Sequence, residues 1–298
     1  MTGPRPSLAV VVMGYLDAGT IVRAVRSVVD QAPRRDPADA VEVVVVTSGD
    51  DDTEDRVRRA FPDLRVVAAP HRLLPGGARN AGLAATEAPL VAFLAGDCEA
   101  EPGWIAGRLR AHRAGHPVVA GAVTNGDRSR PAAWGYHFAT FPRRLAARPA
   151  GPVPATDAAA HGCSFERTVL DAIGRFDPAV RVGEDTDVAA ALAARGVPIW
   201  FEPAVRTRHR GPRTTVALFA ECAARGRQVG AERGPAATSR RGVVRLLRAE
   251  VARTPRVWRE AGADRWWFLA TLPWSLAAQA VFVVARQRAG RRLPRASP

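Results

Sequence analysis

Short apolar runs divide the first two thirds of the chain into regular segments. Leu8–Met13 and Val41–Val46 are uninterrupted apolar runs rich in valine, which is typical of strands buried on both faces. By the same reasoning, strands are predicted at Leu64–Ala68, Leu90–Leu94, Val118–Val123 and Pro198–Phe201. Between them, apolar residues recur at helical spacing, first at Ile21, Val25 and Val28.

Further helices are predicted over 53–61, 76–85, the residues after Pro102, 167–173 and 185–195, and the chain from 213 onward is predicted to be mainly helical. Residues 126–160 are rich in proline, arginine and alanine and show no clear period. This stretch predicts a long loop that acts as a mobile lid.

Strands that alternate with helices predict an α/β fold. The expected architecture is a doubly wound, mainly parallel sheet with helices on both faces. Ligands of such sheets bind at the carboxyl ends of the strands. The polar loops at those ends are Gly14–Gly19, Thr47–Asp52 and Gly96–Glu101, so chemistry is expected there.

The charge of the chain is unevenly distributed. The 298 residues are 47% hydrophobic, enough for a core in one large or two small domains. All 43 basic residues are arginines. Residues 1–203 carry 23 arginines against 24 acidic residues, whereas residues 204–298 carry 20 against 5. The basic rear predicts an anionic partner, which can be a membrane surface, a nucleic acid or an acidic ligand.

Three cysteines, Cys98, Cys163 and Cys222, form an odd set without metal-site spacing. This excludes a disulfide scaffold and favours a reducing compartment.

Three motifs follow one another in a defined order. The strand at 41–46 runs into an acidic turn and is followed by Gly-Gly-Ala-Arg-Asn-Ala-Gly at 76–82. Val-Ala-Phe-Leu-Ala-Gly-Asp at 91–97 comes next, then Gly-Cys-Ser-Phe-Glu-Arg at 162–167 and Gly-Glu-Asp-Thr-Asp at 183–187. Over roughly residues 7–211 this order resembles the family 2 glycosyltransferases. The resemblance implies a GT-A-type fold, a nucleotide-sugar donor and inverting, hexosyltransferase-like transfer.

The acidic residues within 183–187 are candidates for a general base. An acceptor hydroxyl must lose its proton as it attacks the anomeric carbon, and a positioned carboxylate can take that proton. The resemblance implies that Asp185 is this base, and that Glu184 orients the acceptor. The alternative is that these acids only favour the positive end of a helix, which suits Asp187.

Asp97 follows a buried strand, where a carboxylate can hold a divalent cation that neutralises a diphosphate. The resemblance implies a Mn²⁺ or Mg²⁺ site made by Asp97 and His209. The family pattern is Asp-x-Asp, but Ala95 stands at its first position, and Glu99 is a candidate replacement. The alternative for Asp97 is a cap of the helix near Pro102.

The resemblance also implies a donor site, which comprises Gly14, Tyr15, Ser48, Asp50, Gly77, Arg79, Asn80, Gly96, Asp97 and Ser164. Tyr15 would stack on the base, and Leu16 replaces the asparagine usual after it. Arg79 would contact the nucleotide, Asn80 would brace its loop, and Ser164 would donate to the sugar.

We expect residues 1–212 to form the catalytic domain, with a nucleotide-sugar half over about 1–115 and an acceptor half over 116–212. Residues 213–298 would form a basic, tryptophan-rich helical tail.

Trp266–Ala285 in the tail is uncharged and, as a helix, about 30 Å long, enough to span a bilayer. Arginines at 286, 288, 291, 292 and 295 would favour a cytosolic carboxyl end. Pro273 and a polar stripe of Thr271, Ser275 and Gln279 argue against a simple span.

Three interpretations of residues 258–298 remain open: interfacial or re-entrant attachment, a true span, or a soluble helix packed on the catalytic domain. The first two predict an enzyme at the cytosolic face of the plasma membrane. Its acceptor would be lipid-linked, a polysaccharide or a small molecule.

Three alternative functions have weaker support in the sequence. A sugar nucleotidyltransferase needs a basic phosphate loop after the first strand, and residues 14–19 contain no basic residue. A nucleic-acid-binding protein would use the arginine-rich tail, but no helix-turn-helix, zinc or RNA-recognition signature accompanies it. A non-catalytic relative stays open because Ala95, Thr47 and Ser48 depart from the family pattern.

Overall fold

The computed structural model describes residues 6–32, 40–155, 162–235 and 240–291. The strands are β1 (Leu8–Tyr15), β2 (Val41–Ser48), β3 (Arg65–Ala69), β4 (Leu90–Ala95), β5 (Cys98–Ala100), β6 (Val118–Asn125), β7 (Gly151–Val153), β8 (Ser164–Glu166) and β9 (Ile199–His209). The helices are α1 (Ile21–Val29), α2 (Thr53–Ala60), α3 (Pro75–Ala84), α4 (Trp104–Arg113), α5 (Pro131–Thr140), α6 (Arg167–Ala172), α7 (Glu184–Ala194), α8 (Thr215–Arg233), α9 (Arg240–Ala252), α10 (Thr254–Glu260) and α11 (Arg265–Gly290). Arg292, Arg295 and residues 156–160 of the predicted loop lie outside the described residues.

The described strands join one sheet in the order β3-β2-β1-β4-β8-β6-β9-β5, with β7 added beside β9. β3, β2, β1 and β4 run parallel, while β8, β5 and β7 pair antiparallel with their neighbours. β1, at the centre of the parallel part, is buried along most of its length. The predicted α/β class with a mainly parallel sheet and surrounding helices is therefore confirmed.

The register brings three strand ends to one edge of the sheet. Tyr15 pairs with Ser48 at the ends of β1 and β2, and Met13 pairs with Ala95 at the end of β4. Because the strands are parallel, the loops that follow them all emerge at this edge. The three polar loops in which chemistry was expected are therefore neighbours in the fold.

The loop predicted over 126–160 is wrong in its first half, because residues 131–140 form the helix α5. Pro131 begins this helix at a position where its missing N–H is not needed. Residues 132–139 are all buried, so α5 has no polar face and no apolar stripe. Its sequence therefore lacks the periodic pattern that would have predicted a helix.

β9 is longer than the predicted strand at 198–201 and ends at His209. Its second half alternates buried Val205 and Thr207 with more exposed Arg206 and Arg208. This alternation indicates a strand with one buried face, but the arginines conceal it from a search for apolar runs. The short strands β5, β7 and β8 were not predicted either.

The chain divides into two compact units. The first holds the residues up to Val123 together with Pro149–His209, and the second holds Thr124–Arg148 together with the chain from Arg210. The predicted catalytic domain, residues 1–212, includes 124–148. The domain boundary at 212 and the two halves within 1–212 stay predictions.

In the second unit, α11 runs without a break through Pro273. Its polar stripe is satisfied inside the unit: Thr271 Oγ1 donates to Trp267 O at 2.7 Å, Ser275 Oγ donates to Gly135 O at 3.1 Å, and Gln279 Nε2 donates to Ala139 O. By length and composition, the helical segment 262–290 is long and apolar enough to cross a membrane. Its most apolar stretch of 18 residues has a mean hydropathy of 1.7, and 28% of that stretch is buried.

Candidate active site

The loop after β1 is held by its neighbours. The Asp17 N–H donates to Thr53 Oγ1 at 2.8 Å, and Asp17 Oδ2 accepts from the Tyr15 N–H at 3.0 Å. Leu16 between them has a φ of 55°, in the left-handed region that L-residues rarely adopt. One face of the Tyr15 ring is covered by the Arg72 guanidinium, 4.2 Å from the ring centroid. The predicted stacking of Tyr15 on a base is therefore open to the other face only.

The loop after β2 is joined to the first by Asp51. Its carboxylate accepts from the Ala18 N–H and from the Thr53 N–H, both at 3.2 Å. Asp50, predicted to bind the donor, is exposed, while Ser48 is only 5% exposed. Asp50 is thus accessible to a nucleotide from this loop, whereas Ser48 belongs to its buried base.

Gly96 sits where the loop after β4 comes closest to β1. Its N–H donates to Met13 O at 2.7 Å. A Cβ at this position would lie 2.7 Å from Asp17 Oδ2, so a larger residue would displace the carboxylate. Because residue 96 is glycine, the loops that carry Asp17 and Asp97 can lie close together at the carboxyl ends of the strands.

Asp17 is a site residue that sequence reasoning missed. Burial raises the pKa of its carboxyl, the Tyr15 hydrogen bond opposes that shift, and the charges of Asp97 and Asp51 raise it further. Three carboxylates that repel one another form a field that favours a cation. The usable signal was its position, two residues after the end of an apolar strand.

Asp97 and His209 form a candidate cation site with Cys98. β5 and β9 pair so that Cys98 lies opposite His209, and His209 Nε2 is 3.7 Å from Asp97 Oδ2. One potential ligand atom from each of the three residues lies within 4.8 Å of the others. The predicted pair Asp97 and His209 is therefore brought together, although the two residues lie 112 positions apart in the chain.

Two of these three potential metal ligands, Asp97 and His209, suit a hard divalent cation. Burial, and then the charge of Asp97, raise the pKa of the Cys98 thiol well above its usual range. The thiol is therefore neutral and donates to Asp97 Oδ1 at 3.3 Å. A carboxylate and an imidazole suit Mn²⁺ or Mg²⁺ better than a thiol does. Glu99, the candidate replacement for the missing first aspartate, pairs instead with Arg23 at 3.6 Å and Arg208 at 3.8 Å.

Arg79 lies inside the protein and not at its surface. Its side chain is 6% exposed and pairs with Glu184, which is 7% exposed, at 2.5 Å. The guanidinium also lies 5.0 Å from the ring centroid of Phe176. The expected contact of Arg79 with a nucleotide does not fit this burial. The pair instead ties the start of α7 to α3.

Adjacent acids at the start of α7 have opposite surroundings. Glu184 is buried in the ion pair, so the expected contact of Glu184 with an acceptor does not fit either. Asp185 is partly exposed and accepts from the Thr186 N–H at 2.8 Å through Oδ1. In the described part of the chain, Asp185 Oδ2 has no hydrogen-bond partner. Gly183 precedes them with a φ of 90° and allows the turn into the helix.

Asn80 and Gly82 of α3 have structural partners, whereas Gly77 of the same helix has open space around it. Asn80 Nδ2 donates to Phe176 O at 2.6 Å and its Oδ1 accepts from the Phe176 N–H at 3.3 Å, which fits the predicted bracing. Gly82 faces Val11, and a Cβ there would clash with it. At Gly77 a Cβ would meet no atom closer than 3.7 Å, so the space around it does not require glycine.

Ser164 is fully buried on β8, and its Oγ lies 2.8 Å from His112 Nε2. This burial favours a structural role for Ser164 over the predicted contact with a donor sugar. Burial, and then the charge of Arg108, lower the pKa of His112 to about 4.

His112 makes stability depend on pH. The imidazole stays neutral in the folded protein down to about pH 4, whereas the unfolded chain binds the proton below pH 6.5. We expect the free energy of unfolding to fall by up to about 3 kcal/mol as the pH drops from 6.5 to 4. Urea unfolding across this range should show a smaller fall for His112→Gln than for the wild type. The exposed His71→Gln is the control, and an identical pH profile for His112→Gln would refute the assignment.

Comparison with known proteins identifies relatives. The family profile described as Glycosyl transferase family 2 matches residues 9–174. The succinoglycan biosynthesis protein ExoO of Rhizobium meliloti (strain 1021) is 33% identical over 214 residues, which cover 66% of this chain and 59% of that protein. The chain thus spans less than two thirds of the length of this curated relative.

Solved structures share the fold. The mannosyltransferase PcManGT from Pyrobaculum calidifontis, in complex with GDP-Man and Mn²⁺, is 21% identical, with a TM-score of 0.55 over 96% of this chain and 76% of that chain. TarS 1-349 of S. aureus is 14% identical, with a TM-score of 0.54 over 95% of this chain and 91% of that chain. GalNAc-T7 with UDP, GalNAc and Mn²⁺ is 15% identical, with a TM-score of 0.53 over 76% of this chain and 48% of that chain.

Proposed function

Since this chain belongs to glycosyl transferase family 2, we propose that it is a glycosyltransferase that transfers a sugar with inversion from a nucleotide-sugar donor to an acceptor hydroxyl, with Asp185 as the general base. The observation that carries the assignment is the contrast between two adjacent acids. Glu184 is buried in an ion pair, while Asp185 is partly exposed and keeps an oxygen without a partner in the described chain. Of these two acids, Asp185 is therefore the one available to a substrate.

The proposed reaction needs one proton transfer to the protein. The Asp185 carboxylate accepts the proton of the acceptor hydroxyl while that oxygen forms a bond to the anomeric carbon. The bond from that carbon to the diphosphate breaks at the same time, and the nucleoside diphosphate leaves with its electron pair. Attack from the face opposite the leaving group inverts the anomeric centre. No protein nucleophile is required.

Asp97 and His209 would hold a divalent cation at the leaving group. When bound, Mn²⁺ or Mg²⁺ supplies positive charge that neutralises the diphosphate. Support comes from the approach of these two side chains and from structural neighbours whose complexes contain Mn²⁺ with a nucleotide or nucleotide sugar. Asp17 and Asp51 add negative potential, and Asp17 holds the first loop through the Tyr15 N–H.

The donor site that we propose is smaller than the set expected from sequence. Tyr15, Asp50 and Asp97 remain exposed at the strand ends, where a nucleotide sugar has access, and the buried Gly14 and Gly96 shape the loops beneath them. Arg79, Asn80 and Ser164 act as positioning residues, because Arg79 pairs with Glu184, Asn80 is hydrogen-bonded to Phe176, and the Ser164 hydroxyl contacts His112. Ser48 belongs to the buried base of its loop, and the space around Gly77 does not require glycine, so neither residue is kept in the proposed donor site.

Asp97→Asn tests the cation site. We expect Mn²⁺ together with GDP or UDP to raise the melting temperature of the wild type, by mass action, for the nucleotide that fits. The variant should bind the Mn²⁺-nucleotide at least about tenfold more weakly, because one charged ligand is lost. Thermal shift over a Mn²⁺ titration measures this. Asp63→Asn, an exposed acid of the same unit, should behave as the wild type. An unchanged Mn²⁺-dependent shift in Asp97→Asn would remove Asp97 from the site.

We also propose that the second unit attaches to the cytosolic face of a membrane. α11 exposes Trp266 and Leu269, which are 65% and 52% exposed, at the start of the uncharged segment. Tryptophan and apolar residues beside arginines are typical of helices that lie in the interface. The relative in succinoglycan biosynthesis supports a saccharide acceptor, polymeric or lipid-linked, at such a surface.

Vesicle sedimentation tests this attachment. Deleting α11 would remove the helix that packs on α5 and α8, so point variants are the sharper tool. The double variant Trp266→Ser with Leu269→Ser should bind vesicles of anionic phospholipid at least about tenfold more weakly, because two membrane-buried apolar side chains are lost. Val216→Ser, an exposed valine of α8, is the matched control. Equal binding of the double variant and the wild type would place the attachment elsewhere.

A further inference from the structure

The second unit contains a half-open cavity of about 170 Å³ between α5, α8 and α11. Its apolar lining comes from Ala139 of α5 and from Ala278 and Phe282 of α11, and Cys222 of α8 and the hydroxyl-bearing Tyr136 and Thr140 of α5 also line it. The cavity lies wholly within this unit, and none of the residues assigned to sugar transfer line it.

The polar groups at the wall leave one unpaired charge. Gln279 is engaged, because its amide donates to Ala139 O. Burial raises the pKa of the Cys222 thiol to about 11, so this side chain is neutral. Arg225 is exposed and lines the cavity. Among the described residues it forms no ion pair, not even with Glu221 one turn earlier on α8. The Tyr136 hydroxyl is hydrogen-bonded to the Thr140 side chain, so these two polar groups are engaged with each other. The described lining is therefore mostly apolar with a single cation at its edge.

Size restricts the ligand class. A cavity of roughly 150 Å³ with apolar walls holds a molecule as large as benzene. This cavity therefore has room for a short apolar segment, but not for a nucleotide sugar. The surrounding charge favours an anion, since residues 204–298 carry 20 arginines and 5 acidic residues. An apolar segment that ends in a negative group matches both properties.

We propose that this cavity binds the end of an alkyl chain that carries a phosphate, with the phosphate paired to Arg225. The chain displaces water from the wall formed by Ala139, Ala278 and Phe282, and the guanidinium donates to the phosphate oxygens. The site is a lipid-phosphate site in addition to the transferase site, and its occupancy does not depend on the proposed sugar transfer.

Calorimetric titration with octyl phosphate, octanol and inorganic phosphate tests the two parts of the ligand separately. The full-length wild type should bind octyl phosphate more tightly than either fragment. Arg225→Gln should weaken octyl phosphate about tenfold and leave octanol unchanged, because one charge-assisted contact is lost. Arg227→Gln, two residues along the same helix and also exposed, should bind as the wild type. Equal weakening by both variants would show a general charge effect and refute the site.

Filling the cavity tests the apolar part. Ala139→Phe should abolish binding of octanol and of octyl phosphate. Thr140→Phe at the partly exposed rim is a second variant that disturbs packing less. Circular dichroism and the melting temperature identify which variants are folded. A folded filled variant that binds octyl phosphate as the wild type does, or inorganic phosphate that binds as tightly as octyl phosphate, would overturn the proposal.

Discussion

Asp185→Asn is expected to lower the turnover number for sugar transfer by about 10² to 10⁴-fold, the usual contribution of a general base. The amide has nearly the same shape but cannot take the proton of the acceptor hydroxyl at neutral pH. Because Asp185 meets the acceptor in the proposed mechanism, binding of the nucleotide sugar should change little. The loss should therefore appear in kcat and not in the affinity for the donor.

The measurement is the release of nucleoside diphosphate, combined with thermal-shift titration of the donor. Asp187→Asn is the matched control, since Asp187 is an exposed acid in the same helical turn. Asp187→Asn should retain most of the activity, because the interaction of an exposed acid with a helix terminus affects turnover far less than the loss of a general base does. A turnover number for Asp185→Asn within a few-fold of the wild type would exclude it as the base.

Arg79→Met should destabilise the protein by about 3 to 5 kcal/mol, because it leaves the Glu184 carboxylate buried without its partner. Glu184→Gln should cost less, since it leaves a buried cation that still faces a polar amide. The double variant Arg79→Met with Glu184→Met should recover much of the loss, since no buried charge remains. Urea unfolding of the wild type, Arg79→Met, Glu184→Met and the double variant gives the coupling energy.

The exposed pair Arg175–Asp171 is the control for this cycle. Both side chains are about two fifths exposed, and Arg175→Met should change stability by less than about 1 kcal/mol. If Arg79 positions α7, folded Arg79 variants should also lose kcat while the KM for the donor stays nearly constant. A selective rise in that KM would instead indicate that Arg79 contacts the nucleotide. A coupling energy near zero would contradict a stabilising ion pair between Arg79 and Glu184.

The sequence predicts the parallel core of the fold because buried strands are marked locally. Leu8–Met13 and Val41–Val46 are apolar runs whose meaning does not depend on the rest of the chain. The three polar loops follow from them, since parallel strands end at one edge. α5 and the second half of β9 are missed, because α5 is buried on every side and the second half of β9 alternates arginine with buried residues. A search for apolar runs and helical periods finds neither of them.

The candidate site is only partly readable from sequence, for a different physical reason. Asp97 and His209 are found because strand ends and family-like motifs mark them. The different surroundings of Glu184 and Asp185 depend on Arg79, which lies 105 positions from Glu184. Two neighbouring acids of similar chemistry thus receive different surroundings from tertiary contacts alone. Asp17 is missed for a similar reason, because its proximity to Asp97 requires the close approach at Gly96.

The backbone at Leu16 restricts how the loops after β1 and β2 can vary together. A Cβ at Gly49 would lie 3.0 Å from the Leu16 Cδ2 atom, and Gly49 itself has a φ of 113°. A larger side chain at 49 therefore needs both a smaller partner at 16 and a different local backbone. Substitutions at these two positions should be correlated among close homologues. An asparagine at 16, which tolerates the left-handed conformation better than leucine, should relax this constraint.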